Sequence, residues 1–86
     1  MSITEFRPSA EVLTRFAQAF SEDGYMKKTP LHSTSRVNWY SFERYINWLI
    51  KKKYIKCKLE GKHITYEATE QGKDVFNNLL KLTALF

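Results

Sequence analysis

From Ser9 to Phe20 the apolar residues Val12, Leu13, Phe16, Ala17 and Phe20 recur at the spacing of one helical face. Ser9 is placed to cap that helix, Glu11 lies near the positive end of its dipole, and Ser21-Glu22-Asp23-Gly24 offers a stop. Tyr25 to Lys28 reads as a short link or strand. Thr29-Pro30 predicts a second helix, with Thr29 as its cap and Pro30 at the first helical position, where no N–H is needed. That helix ends near Ser35 or Arg36, with Leu31 as its core residue. Asn38 then caps the strongest helical stretch, Trp39 to Lys53. At about 100° per residue, Phe42, Tyr45, Ile46, Leu49 and the stem of Lys53 share one side, with Leu49 at its centre. Tyr40, Arg44, Asn47 and Lys51 share the opposite, polar side. Ser41 and Trp48 border that polar side, whereas Trp39 lies nearer the apolar one.

Beyond Tyr54 the period changes from helical to alternating. Ile55, Cys57 and Leu59 alternate with Lys56, Lys58 and Glu60, and then Ile64, Tyr66 and Ala68 alternate with His63, Thr65 and Glu67. This is a two-stranded hairpin in which the first set of each strand faces inward, and Gly61 supplies the backbone freedom of the tight turn. Thr69 caps a last helix in which Val75, Phe76, Leu79, Leu80, Thr83 and Phe86 form one stripe. The order is helix, short helix, turn, longer helix, hairpin, helix: an α+β, mainly helical chain with the layout of a winged helix-turn-helix.

Charge changes the picture. Of 14 Lys and Arg residues, ten lie between Lys27 and Lys62, a window holding only the acids Glu43 and Glu60; it carries +8, and the rest of the chain brings the total to +5. A basic field over this order of elements is the footprint of a nucleic-acid-binding module, although charge alone fits a solubilising surface equally well. At 86 residues, 1–86 forms a single domain, with 69–86 as a C-terminal helix. Met1 to Pro8 carries Glu5 and Arg7 and no apolar run, and no stretch approaches the ~20 apolar residues that span a bilayer. The chain is expected to be cytoplasmic and nucleoid-associated, without a membrane partner.

A resemblance adds to this reading. Val37-Asn38-Trp39-Tyr40-Ser41-Phe42-Glu43-Arg44-Tyr45-Ile46-Asn47-Trp48-Leu49-Ile50-Lys51-Lys52-Lys53-Tyr54-Ile55 resembles the recognition-helix segment of small archaeal winged helix-turn-helix DNA-binding proteins. Tyr66-Glu67-Ala68-Thr69-Glu70-Gln71-Gly72-Lys73 is similar to that family's strand-to-helix signature, an aromatic or aliphatic residue followed by Thr-Glu-x-Gly-Lys. The likeness covers roughly Thr29 to Leu80. Lys53 departs from it, standing where the family usually ends the helix with Gly, and the wing around Gly61 is very short. The resemblance implies double-stranded DNA as the partner and a role as transcription regulator or architectural protein.

The residues make the same case physically. A helix reads a major groove when its outward face is polar and carries long donors. Arg44 can pair with guanine or phosphate, Asn47 can present amide donors and an acceptor, and Tyr40 and Ser41 can bond a phosphate or base edge. Lys51 suits the backbone. Thr29, Ser35 and Arg36 surround the second helix and its turn, where phosphate contacts usually fall, and Lys58 and Lys62 extend the field along the hairpin. Trp39 is a candidate contact as well as a packing residue. The competing readings are a protein-interaction adaptor and an RNA binder.

Catalytic chemistry is not in view. His32, His63 and Cys57 lie on three elements at spacings that match no zinc pattern, and Cys57 falls on an inward strand position. With no Gly-rich phosphate loop, paired carboxylates or nucleophile–base pair, no cofactor and no enzymatic activity are expected. The last helix is expected to be a homodimer interface through Phe76, Leu79, Leu80, Leu82, Thr83, Leu85 and Phe86, because so wide an apolar surface exceeds what a small fold covers by itself.

Overall fold

The first helix, α1 (Ala10–Phe20), starts where the sequence places it, with Ser9 extended and its hydroxyl accepting from the Val12 N–H at 3.4 Å. A computed structural model describes residues 6–21 and 24–84 of the chain. The remaining elements are β1 (Tyr25–Lys27), α2 (Lys28–Ser35), α3 (Trp39–Lys51), β2 (Ile55–Glu60), β3 (His63–Ala68) and α4 (Glu70–Ala84). Leu85, Phe86, Glu22 and Asp23 lie outside the described residues. The three strands form one antiparallel sheet in the order β1-β3-β2. Gly61, at φ 60°, makes the first central residue of a two-residue turn that pairs Glu60 with His63.

The core is largely aromatic. Phe16 and Phe20 of α1, Leu31 of α2, and Phe42, Tyr45, Ile46 and Leu49 of α3 are buried with Ile55, Tyr66, Ala68 and Phe76. Phe16 stacks on Phe42 and Tyr45 at 6.0 and 5.8 Å, and Phe20 lies parallel to Phe76 at 5.5 Å. Burying each such side chain stabilises the fold by about 1.5–3 kcal/mol. The helical period predicted the phase of α3 correctly in its four apolar residues.

Several boundaries differ from the sequence expectation. Thr29 does not cap α2: the strand runs straight into the helix, which opens at Lys28 behind Lys27, with no side-chain cap bond. Pro30 still falls in the first turn, where its missing N–H is harmless. The third helix ends at Lys51, and Lys53 is exposed with a left-handed φ of 65°, so its stem does not join the inward face. Cys57 and Leu59 share a face with Tyr66 and Ile64 by register, yet both are exposed, because they stand on the edge strand β2 whereas their partners stand on the central strand β3. Thr65, expected outside, is buried, since β3 is the central strand and Lys27 and Lys58 flank it on either side.

One junction holds the end of α3 to the start of α4. The Tyr54 N–H donates to the Leu49 carbonyl at 3.0 Å, and the Tyr54 carbonyl accepts from the Thr69 N–H at 3.0 Å. The Thr69 hydroxyl donates to the Lys53 carbonyl at 2.6 Å and accepts from the Gly72 N–H at 2.9 Å, as the cap of α4. Gly72 is required here because a Cβ would stand 1.8 Å from the Tyr54 carbonyl oxygen. The Thr-x-x-Gly signature is therefore a backbone clamp.

Two substitutions test this junction by chemical denaturation. Lys53→Gly is expected to stabilise the chain by about 0.5–1 kcal/mol, the left-handed cost of a side chain less the entropy cost of glycine. Gly72→Ala is expected to destabilise it by at least about 1–3 kcal/mol, because a backbone carbonyl must yield. A Gly72→Ala variant as stable as the parent would contradict the close approach.

Candidate nucleic-acid interface

The turn between α2 and α3 is three residues long, Arg36 to Asn38. Arg36 is left-handed at φ 58° and exposed. The Asn38 side chain accepts from the Ser41 N–H at 2.8 Å, and its carbonyl accepts from the Phe42 N–H, also at 2.8 Å. With Phe42, Tyr45, Ile46 and Leu49 locked in the core, the opposite face of α3 must point to solvent. Tyr40 is 72% exposed, and Asn47 and Lys51 are exposed beside it. Ser41 is half-buried at the border.

The two flanks of this face are occupied. On one, Glu43 pairs with Lys28 at the start of α2, at 3.1 Å. Glu43 also acts on Tyr66: burial, with smaller contributions from Cys57 and Glu43, pushes that phenol from 10.0 up to about 12. On the other flank the half-buried Arg44 sits with its guanidinium carbon 5.0 Å from the Phe6 ring centre and 5.7 Å from that of Tyr40. Trp39, at the tip of the helix, is 48% exposed. Its indole lies parallel to His32 at 3.6 Å and edge-on to Phe42 at 5.5 Å, so it is both a packing residue and a surface one. Trp48 is half-buried against Tyr54 and Phe6.

Around α2 and the hairpin the candidates divide. Thr29 is exposed and shares a cleft of about 280 Å³ with Lys27, Lys28, Pro30, Lys62, His63 and Ile64, so the hairpin tip and the start of α2 converge. Ser35, by contrast, is fully buried: its hydroxyl donates to the His32 carbonyl at 2.7 Å, and its carbonyl accepts from Arg15. It cannot meet a phosphate, and this is a correction to the candidate set. Lys58 lies 3.1 Å and Lys56 3.4 Å from the same oxygen of Glu67, and these ammonium groups, Lys58 foremost, hold that carboxyl below its ordinary value. The positive charge of Lys58 is thus partly neutralised. Among the described residues no ion pair engages Arg36, Arg44, Lys51, Lys52, Lys53 or Lys62.

Sequence reasoning missed the hold of Phe6 on Arg44, and nothing local signals it. The Lys56–Glu67–Lys58 group was within reach, because alternation places all three on one strand face. Among the described residues no three His, Cys, Asp or Glu side chains gather to hold a metal, and no helix is long and apolar enough to cross a membrane. Cys57 is exposed, not inward. On α4, Phe76 is buried within the chain itself and is unavailable to a partner, while Leu79 and Leu80 are half-buried and Leu82 and Thr83 exposed.

A three-residue turn joining two helices, a third helix with a free polar face and a hairpin immediately after it define a winged helix-turn-helix protein. The family model of that description, winged helix-turn-helix, matches residues 7–85, and the chain belongs to that family. No curated protein matches it by sequence. Among solved structures it is similar to Sso10a-2, a DNA-binding protein from Sulfolobus solfataricus, with 19% identity and a TM-score of 0.76 over 92% of this chain and 81% of that one. A MarR family transcriptional regulator from Silicibacter pomeroyi is similar with 12% identity and a TM-score of 0.73, over 86% of this chain and 54% of that one, about half its length. The type III plasmid segregation protein TubR, as a mutant, shares 16% identity and a TM-score of 0.66 over 95% of this chain and all of that one. The chain is a small winged helix protein in fold.

Proposed function

We propose that this protein binds double-stranded DNA, as a transcription regulator or architectural protein, with α3 in the major groove. The observation that carries the reading is the face of Tyr40, Asn47 and Lys51: exposed, polar, and backed by basic residues that no ion pair engages among the described residues. In this reading Arg44 and Asn47 meet base edges, Tyr40 and Ser41 meet a phosphate or base edge, and Trp39 is a further contact. Lys51, Thr29, Arg36 and Lys62 meet phosphate, with Lys58 a weaker contributor because of Glu67. The similar DNA-binding and regulator structures support this reading by fold.

Titration of random DNA duplex, random single strand and RNA duplex at two salt concentrations tests it, and tighter binding of the DNA duplex is expected. Arg44→Ala should weaken a preferred site by about 1–3 kcal/mol and flatten sequence preference. Lys51→Ala should weaken all duplexes alike and lower the salt slope by about one. An Arg44→Ala chain with unchanged duplex affinity would remove α3 from the role of reader.

The second half of the proposal is a homodimer through the end of α4, carried by the 56% exposure of Leu82, one turn from the half-buried Leu79. Leu80, Thr83, Leu85 and Phe86 complete the proposed interface set, of which Leu85 and Phe86 lie outside the described residues. A twofold pair would present two recognition helices to one side of a duplex. Light scattering at micromolar concentration should give a dimer for the full chain and a monomer for a chain truncated after Leu80. A full-length monomer would contradict the interface.

A further inference from the structure

The Arg44 side chain has no hydrogen bond and no ion pair among the described residues, yet it is half-buried and lies over two aromatic rings. Tyr40 is its neighbour one turn back on the same helix. Phe6 is not: it comes from the segment that precedes α1. That segment is fixed from the core outward. Tyr45 is buried against Phe16 at 5.8 Å, and its hydroxyl accepts from the Ser9 N–H at 2.8 Å. Phe6 then sets its ring edge-on to Tyr45 at 4.8 Å and contacts Trp48 at 6.5 Å. The surface left to Phe6 is where the guanidinium of Arg44 rests, 5.0 Å from the ring centre.

We propose that Phe6 is a positioning residue for Arg44, holding its guanidinium over an aromatic ring so that the planar N–H donors are presented in one orientation to a base edge. This rests on the reading of α3 as the DNA-contacting helix. A guanidinium is attracted to the face of a ring, and all five of its donors lie in its own plane, so stacking leaves them free. Bidentate pairing with the O6 and N7 of guanine needs that plane aligned with the base. An arginine free to rotate would lose side-chain entropy on docking, and one already held over Phe6 and Tyr40 loses less. Phe6 thereby contributes to sequence preference without touching DNA. Its effect should be absent for random sequence, where phosphate contacts dominate.

The test combines two readouts on Phe6→Leu, which removes the ring but keeps an apolar side chain, and on Phe6→Tyr, which keeps the ring. The first is the 15N order parameter of the Arg44 side-chain Nε–H in the free protein. The second is the ratio of affinities for a duplex selected by the parent chain from a randomised library and for a random-sequence duplex. Phe6→Leu is expected to lower the order parameter markedly and to reduce the ratio about two- to fivefold, the size of an exposed cation–π contact. The salt slope should be unchanged, and Phe6→Tyr should behave as the parent. Added to Arg44→Ala, Phe6→Leu should reduce the ratio no further. An Arg44 side chain equally ordered in folded Phe6→Leu, or equal weakening of both duplexes, would overturn the proposal. An unchanged ratio in Arg44→Ala would refute base readout by Arg44, and the order parameter alone would then decide whether Phe6 holds the guanidinium.

Discussion

The Thr69 hydroxyl, placed between the Lys53 carbonyl and the Gly72 N–H, is the contact on which the geometry of α3 depends. It joins the backbone that leaves α3 to the backbone that begins α4, and Gly72 lets the two approach until a methyl group would collide with Tyr54. Each of these hydrogen bonds is worth about 1 kcal/mol net, but their geometric effect is larger. They set where the hairpin leaves the helical layer, and α4 cannot pack Phe76 on Phe20 unless its first turn starts there. With the far end of α3 clamped and its near end capped by Asn38, the helix cannot roll, so its polar face stays in solvent. Lys53 accepts a left-handed backbone to allow this.

How much of this was legible in the sequence depends on the range of each interaction. The phase of α3 was legible because four apolar residues at helical spacing fix a face, and the Thr69 cap was legible because its partner Gly72 is three residues away. Strand parity was also correct, since Cys57 does oppose Tyr66. Burial did not follow from parity: Cys57 and Leu59 stand on the edge strand β2, and the order β1-β3-β2 rests on a pairing of β1 with β3 that no local pattern encodes. Ser35 looked like a phosphate ligand because serine in a turn often is. The structure shows its polar groups already satisfied inside, the hydroxyl by the His32 carbonyl of its own helix and the carbonyl by Arg15 of α1. The contact between Phe6 and Arg44 joins distant parts of the chain and is invisible for the same reason.

The structure also refines the charge argument. A count of lysines and arginines treats the window from Lys27 to Lys62 as uniformly positive. Three of its lysines, Lys28, Lys56 and Lys58, face a carboxylate at 3.1–3.4 Å. Surface pairs of this kind add little stability, but they offset the local charge and leave it uncompensated at positions without an ion pair among the described residues, Arg36, Lys51 to Lys53 and Lys62 among them. These positions lie at the turn before α3, at its far end and at the hairpin tip. The Tyr40, Asn47 and Lys51 face therefore lies between sources of positive potential, the arrangement that steers a polyanion onto a helix.

The most direct test of this account is a map of backbone amide chemical-shift changes as a short DNA duplex is added to the 15N-labelled protein. The account predicts that the largest changes fall on α3 from Trp39 to Lys51, on Thr29 and Arg36, and on the hairpin tip at Gly61 and Lys62. The amides of α1 and of the middle of α4 should change little. Shifts concentrated on α4 or on α1, with α3 unmoved at saturating duplex, would contradict it.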